Sequence, residues 1–343
     1  MNTTYDITII GGGIIGLFTA YLASKKFPDA SIVVIDQNFK STGATFYSIA
    51  LDIPYGHSTE IQKLSKISRK YFSQLDEIIS YERQQIPFIG ITAKDNFKTL
   101  ASKFNTKLQS LEEPNFEATI SKDELTFSEL EAWQSIPYDY LDALKKILAA
   151  EKKVKFLFGL KVVGIEKEND GFALKTSRGI VINTKNVINA TGPWLTDDSW
   201  KREIEKLDVR TKKIISYHLP FRFKTGIFFF DHDAFITPKL DAPNESIYSF
   251  RANEYDVKPQ VGNINIHKTN NEKAYKLFNT YFPNKLSFED FSLLEGRCFC
   301  DAYATVPIAA EIFSGYIVAG AGSGSGFRLA PAIAETAISF IQL

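Results

Sequence analysis

The segment 5–10 is a β-branched apolar run that passes directly into Gly11-Gly12-Gly13-Ile14-Ile15-Gly16. Ile14, Leu17, Phe18, Tyr21 and Leu22 then recur at helical spacing, which predicts a helix over 14–26. A second apolar strand is predicted over 31–36, ending in Asp36. Ile61, Leu64, Ile67, Tyr71, Leu75 and Ile78 mark a helix over 61–79. Phe97, Leu100, Phe104, Leu108 and Leu111 predict another, and Ser121-Lys122-Asp123-Glu124 reads as a capping box opening a third. Leu141, Leu144, Ile147 and Leu148 place a fourth over 138–150. Strands dominate from there: 154–158, 161–166, 172–176, 180–182 and 187–190, then four rich in Phe, Ile and Tyr between 212 and 253. A strand over 315–320 and a helix over 327–341 close the chain. No repeat or low-complexity linker interrupts this order. The chain is therefore expected to cross between two domains several times.

The opening pattern carries chemistry. Strand, G-x-G-x-x-G, helix and second strand occupy one short unit, and Asp36 stands about 20 residues beyond Gly16. Gly11 serves the tight turn, Gly13 lets the backbone approach a pyrophosphate, and Gly16 lets the helix pack on the strand. The helix N-terminus offers unpaired N–H groups to phosphates, and Asp36 suits a ribose hydroxyl. Dinucleotide binding follows. A second glycine cluster, Gly320-Ala321-Gly322-Ser323-Gly324-Ser325-Gly326, lies between the last strand and the last helix. It too permits close backbone approach to a ligand and aims a helix N-terminus at it.

Composition narrows the picture. The 343 residues suit about two domains. Forty Lys+Arg balance forty Asp+Glu, so no basic field exists to select nucleic acid or an anionic membrane. With 44% hydrophobic and 23% charged residues, the bulk of the chain is globular, not disordered. The only cysteines, Cys298 and Cys300, are too close for a disulfide scaffold and fit a reducing, cytoplasmic setting. No apolar run reaches the ~20 residues of a membrane span, and the N-terminus lacks a signal-peptide pattern. No metal site is predicted.

Four motifs in order resemble the FAD-dependent D-amino acid oxidase, glycine oxidase and sarcosine oxidase family over nearly the whole chain. They are Gly11–Gly16 with Asp36; Gly43-Ala44-Thr45-Phe46-Tyr47-Ser48-Ile49-Ala50; Val187-Ile188-Asn189-Ala190-Thr191-Gly192-Pro193-Trp194; and Gly322-Ser323-Gly324-Ser325-Gly326-Phe327-Arg328-Leu329-Ala330-Pro331. The resemblance implies an α/β fold, α+β in its second domain. A Rossmann-type FAD-binding domain (1–80, 135–205 and 296–343) would interleave with a substrate domain (81–134 and 206–295) built on a large mixed or antiparallel sheet. It implies non-covalent FAD held by Gly11, Gly13, Ile14, Ile15, Gly16, Asp36 and Gln37. Ala44, Thr45, Val162, Ala190 and Gly192 would continue the contact, with Trp194 either joining them or packing in the core. Gly322, Ser323, Gly324, Gly326, Phe327, Arg328 and Leu329 would run along the flavin.

The resemblance also implies hydride transfer from the carbon beside an amine, with O2 as acceptor. A substrate carboxylate wants a guanidinium fork. Arg328 and Arg297 match the family's two alternative anchors. Tyr248, in Ile247-Tyr248-Ser249-Phe250, matches a tyrosine facing the substrate; His267 and Lys258 match an active-site histidine and an oxygen-activating lysine. Cys298 falls near a cysteine that links to flavin in sarcosine oxidases, or is a plain buried thiol. Phe46, Ile49 and Phe235 replace polar groups of simpler relatives, and Asp231-His232-Asp233 is either a site for a cationic group or a solvated turn. A specialised amine or imino acid is expected in place of D-alanine, glycine or sarcosine. An FAD-dependent dehydrogenase of an amine or 2-hydroxy acid stays open, as does a nicotinamide-dependent dehydrogenase, although the latter has no need of the C-terminal loop.

Overall fold

The computed structural model describes residues 4–39, 42–79, 83–111, 118–129 and 132–343. The chain opens with β1 (Thr4–Ile10), α1 (Ile14–Lys26), β2 (Ile32–Asp36), α2 (Ala44–Tyr47), β3 (Leu51–Asp52) and α3 (Thr59–Asp76). Then come β4 (Gln84–Gln85), β5 (Phe88–Ala93), α4 (Phe97–Ala101), β6 (Gln109–Leu111), β7 (Glu124–Glu129) and β8 (Trp133–Gln134). Helix α5 (Pro137–Ala150) leads into β9 (Val154–Phe158), β10 (Val162–Glu168), β11 (Gly171–Thr176) and β12 (Val181–Asn189). A short α6 (Lys201–Ile204) precedes β13 (Arg210–Leu219), β14 (Gly226–Phe229), β15 (Ala234–Pro238) and β16 (Ser246–Tyr255). The chain ends with α7 (Lys268–Tyr281), α8 (Phe288–Ser292), β17 (Gly296–Phe313), β18 (Tyr316–Gly322) and α9 (Gly326–Ser339).

One large mixed sheet organises these elements in the order β6-β7-β5-β14-β15-β16-β13-β17-β18-β12-β1-β2-β9, with β10 and β11 branching from β12. Strands β18, β12, β1, β2 and β9 run parallel, and β2 buries both faces as Ile32, Val33, Val34 and Ile35. That double burial is why β2 reads as an unbroken apolar run. From β5 to β17 the pairing is antiparallel except between β5 and β14. Strand β17 joins the two regions: its start pairs with β13 from Gly296 to Tyr303, and its remainder pairs with β18 from Tyr303 to Phe313.

Close backbone packing fixes the parallel end. A Cβ on Gly16 would stand 1.9 Å from the Gly11 carbonyl oxygen, and one on Gly11 would stand 2.3 Å from that of Ala190. Only glycine lets α1, β1 and the turn after β12 meet at this distance.

Four departures from the sequence reading have local causes. The helix expected over 97–111 stops at Ala101, and Asn105 donates its N–H to the Pro54 carbonyl at 2.8 Å. Leu100, Phe104 and Leu108 still bury together against Phe127, so their spacing reported a core and not a helix. The box at Ser121 closes a turn: Ser121 N–H donates to the Glu124 carboxylate at 2.9 Å, and Glu124 then starts β7. Segments 180–182 and 187–190 are one strand, β12. Strand β5 and helix α7, whose Ala274, Phe278 and Tyr281 face inward, were not read from the sequence.

Among the described residues, no helix is long and apolar enough to cross a membrane, and no group of three or more acidic, His or Cys side chains is arranged to hold a metal ion.

Helices α1, α3, α5 and α9 share one aromatic joint. The fully buried Phe72 ring lies 5.4 Å from Phe18, 5.8 Å from Tyr140 and 5.9 Å from Phe327. Phe72→Ala should cost about 3–5 kcal/mol, the range for deleting a buried aromatic ring. Urea unfolding followed by far-UV circular dichroism should show the midpoint fall; an unchanged midpoint would mean that the joint does not hold the helix layer.

Candidate active site

A single cavity of about 2090 Å³, counted with its solvent-open mouth, runs from the parallel end of the sheet to the antiparallel end. Its lining runs without a break from the glycine turn at Gly11–Gly13 to Ser216, Ser249 and Phe235 on the antiparallel strands.

At the parallel end, Gly11, Gly13, Ile14 and Ile15 line the cavity at the start of α1. No side chain caps that helix at Gly13, although Thr45 Oγ1 accepts the Ile14 N–H at 3.2 Å. Asp36 accepts N–H bonds from Gly12 at 2.7 Å and Asn38 at 2.8 Å. Burial pushes its carboxyl pKa up, and those bonds oppose the rise. Gln37, Ala44, Val162, Ala190, Gly192 and Trp194 line the same stretch.

In the middle, the loop joining β18 to α9 is strained. Ala321 and Ser323 are non-glycine residues at φ 55°, and Gly324 follows at φ 86°. Left-handed backbone at such residues persists only where the surroundings hold it. Here Ser323 donates its hydroxyl to the Ala304 carbonyl at 2.7 Å, and Asp301 accepts the Gly324 N–H at 2.6 Å. Desolvation beside the loop raises the Asp301 pKa, with the Gly324 N–H and Lys212 opposing. Gly322, Ser323, Gly324, Gly326, Phe327 and Arg328 line the cavity; Gly16 and Leu329 do not. Gly16 serves packing, as its contact with Gly11 shows. Arg328 is buried. It donates to the Tyr55 carbonyl at 2.5 Å and to Ser325 Oγ at 3.1 Å, which uses two of its five donors. Burial lowers its pKa to about 10, so it stays charged at neutral pH.

At the antiparallel end, strand register decides which side chains enter. Successive residues alternate between faces, so cross-strand partners share one. One row along the cavity floor is Phe228, Phe235, Ser249, Ser216 and Arg297, each the register partner of the next. The next pairs Arg251 with Ile214 and Ile214 with Phe299. A third pairs Lys212 with Asp301. Asp233, on a left-handed turn, accepts from Arg251 at 2.9 Å and stands 3.8 Å from Lys212. Burial lowers the Lys212 pKa, with Asp233 opposing. Tyr47 stacks on Phe299 at 5.7 Å.

The same alternation removes Tyr248 from the cavity. It is fully buried on the opposite face, donating its hydroxyl to the Ala274 carbonyl of α7 at 3.1 Å. Its neighbour Ser249 takes the cavity position. His267 is exposed at the N-terminus of α7, where its N–H donates to Asn270 Oδ1 at 3.1 Å. Lys258 is exposed beyond β16. Neither lines the cavity, because the segment after β16 is not the next strand of the floor. Arg297 shares the floor's face but stays at its edge, half-exposed and paired with Glu295 at 3.5 Å. Cys298 and Cys300 are buried on the far face, with Phe299 between them facing the cavity. Of the cluster 231–233, only Asp233 reaches the cavity, whereas Asp231 accepts from Thr92, Ala93 and Asn96. The sequence reading missed Lys212, Ser216, Ser249, Arg251, Tyr47 and Asp301. The alternation of β13 and β16 was the available signal.

The chain resembles several solved structures. L-proline dehydrogenase from P. horikoshii is 19% identical with a TM-score of 0.80, covering 100% of this chain and 94% of the other. Glycine oxidase from Geobacillus kaustophilus is 16% identical with a TM-score of 0.78, covering 98% and 94%. L-α-glycerophosphate oxidase from Mycoplasma pneumoniae, solved with FAD bound, is 16% identical with a TM-score of 0.79, covering 99% and 95%. At these identities the likeness speaks for the fold. No curated protein matches by sequence. The family model for FAD dependent oxidoreductases (DAO) matches residues 6–339, and with that match nearly end to end the chain belongs to this family of flavoenzymes.

Proposed function

We propose that the chain oxidises the carbon–nitrogen bond of an amino acid or related amine or imino acid, with O2 as electron acceptor. The observation that carries this reading is the continuity of the cavity, from a dinucleotide cradle to a walled chamber with the buried Arg328 guanidinium between them. The names of two similar structures, a proline dehydrogenase and a glycine oxidase, favour an amino- or imino-acid substrate.

The residues at the parallel end fit FAD. Gly13 is bare where a Cβ would stand 3.3 Å from Thr45 Oγ1, and the uncapped start of α1 leaves N–H groups for phosphates. In this reading Asp36 and Gln37 take the ribose, Val162 the adenine, and Ala44, Thr45, Ala190, Gly192 and Trp194 the path between. Residues 322–328 lie along the flavin. When bound, FAD supplies the hydride acceptor. The protein's own side chains orient the substrate and exclude water. Arg328 holds the substrate carboxylate with its remaining donors, and the aromatic floor covers the reacting carbon. Residues 1–80, 135–205 and 296–343 serve FAD, residues 81–134 and 206–295 serve the substrate, and β17 joins the two.

Arg328→Ala should raise the apparent substrate constant about 30- to 1000-fold, equivalent to about 2–4 kcal/mol for one partner of a buried charge pair, while FAD stays bound. Arg328→Lys should recover part of the loss, since it keeps the charge without the fork. The substrate comes first from anaerobic flavin bleaching across amines, amino acids and 2-hydroxy acids. Unchanged affinity in Arg328→Ala would transfer the anchor to Arg297 or remove the carboxylate from the substrate.

FAD should be non-covalent. Burial pushes the Cys298 thiol up to about 12 and Cys300 to about 11, and both face away from the cavity. Acid precipitation should leave a white pellet and a yellow supernatant. A pellet that stays yellow would refute the assignment.

A further inference from the structure

Ser216 and Ser249 stand directly opposite each other on β13 and β16, at the centre of the cavity floor. They are only 3% and 7% exposed, and neither hydroxyl has a hydrogen-bond partner among the described residues. Both side chains line the cavity, so these two hydroxyls are open to it and free to bond a ligand. Their surroundings set the partner's chemistry. Phe228 and Phe235 extend the row on one side, and Ile214 with the stacked Phe299 and Tyr47 form the next ridge. Lys212 and Arg251 on the same face are paired with Asp233, and the Arg251 Nε–H is buried without a partner, so an oxygen acceptor is favoured there over a further donor.

We infer that the substrate has an apolar, ring-sized body ending in an oxygen acceptor, which takes hydrogen bonds from both Ser216 and Ser249. Resting on the proposed amino- or imino-acid reading, this makes the serine pair the specificity determinant for the substrate's far end, separate from its carboxylate at Arg328. Sites built to hydrogen-bond a substrate oxygen discriminate strongly against analogues that lack it, because their own polar groups are then stranded.

The test uses FAD-loaded protein and three non-reacting acids: phenylacetate, 3-hydroxyphenylacetate and 4-hydroxyphenylacetate. Binding is followed by the perturbation of flavin absorbance. At least one hydroxylated acid should bind ten-fold or more tighter than phenylacetate. In Ser216→Ala/Ser249→Ala that preference should vanish, with phenylacetate affinity and FAD content unchanged. Without ligand, the double variant should melt at the same temperature as the parent, because neither hydroxyl bonds a protein group. A lower melting temperature, no preference among the acids, or a preference that survives the double substitution would overturn the assignment. Arg328→Ala reports separately: if it leaves all three affinities unchanged while the serine-dependent preference stands, the carboxylate anchor is wrong and the serine pair is not.

Discussion

The two-residue alternation of one continuous sheet is the constraint on which the rest of this molecule depends. Strand β17 carries that alternation from the parallel region, where β18 flanks it, to the antiparallel floor, where β13 flanks it. A shift of one residue in β13 would exchange Lys212, Ile214 and Ser216 for Lys213, Ile215 and Tyr217. The cavity would then lose its polar floor, and the core against α7 would gain one. Burial on both faces makes such a slip expensive, so the register is firmly held.

The glycine contacts at the other end have the same character. Gly11, Gly16 and Ala190 bring three backbones together at distances no side chain permits, which sets α1 with its N-terminus on the cavity. The strained loop at Ala321, Ser323 and Gly324 faces it and is held by Ser323 and Asp301. Backbone strain at Ala50, Asp233, Ala321 and Ser323 thus gathers along one cavity, where a ligand can compensate for it.

Much of this was legible beforehand. The β1–α1–β2 unit, Asp36, the C-terminal glycine loop and the four floor strands follow from local patterns that the structure retains. The substrate end was harder to read. Motif likeness pointed to Tyr248, whose side chain is one residue out of phase with the cavity, and to His267 and Lys258, which lie past the end of β16. The residues that do line the floor meet through pairings such as Lys212 with Asp301, which no local window can contain. Ser249 and Ser216 carry no chemical signature as single residues; their opposition across two strands makes them notable.

Adjacent lysines on β13 give the most direct test of the register. Lys212 enters the cavity, whereas Lys213 is buried on the other face, donating to Glu254 and Asn270 at 3.0 Å each. Lys212→Met and Lys213→Met, compared for melting temperature and for the absorbance spectrum of bound FAD, should separate the two faces. The account predicts that Lys212→Met alters the flavin spectrum with little loss of stability. It predicts that Lys213→Met melts below the parent with its flavin spectrum unchanged, because it removes the buried ammonium's bonds to Glu254 and Asn270 on the far face. The opposite pattern would contradict the register, and with it the assignment of every residue on the cavity floor.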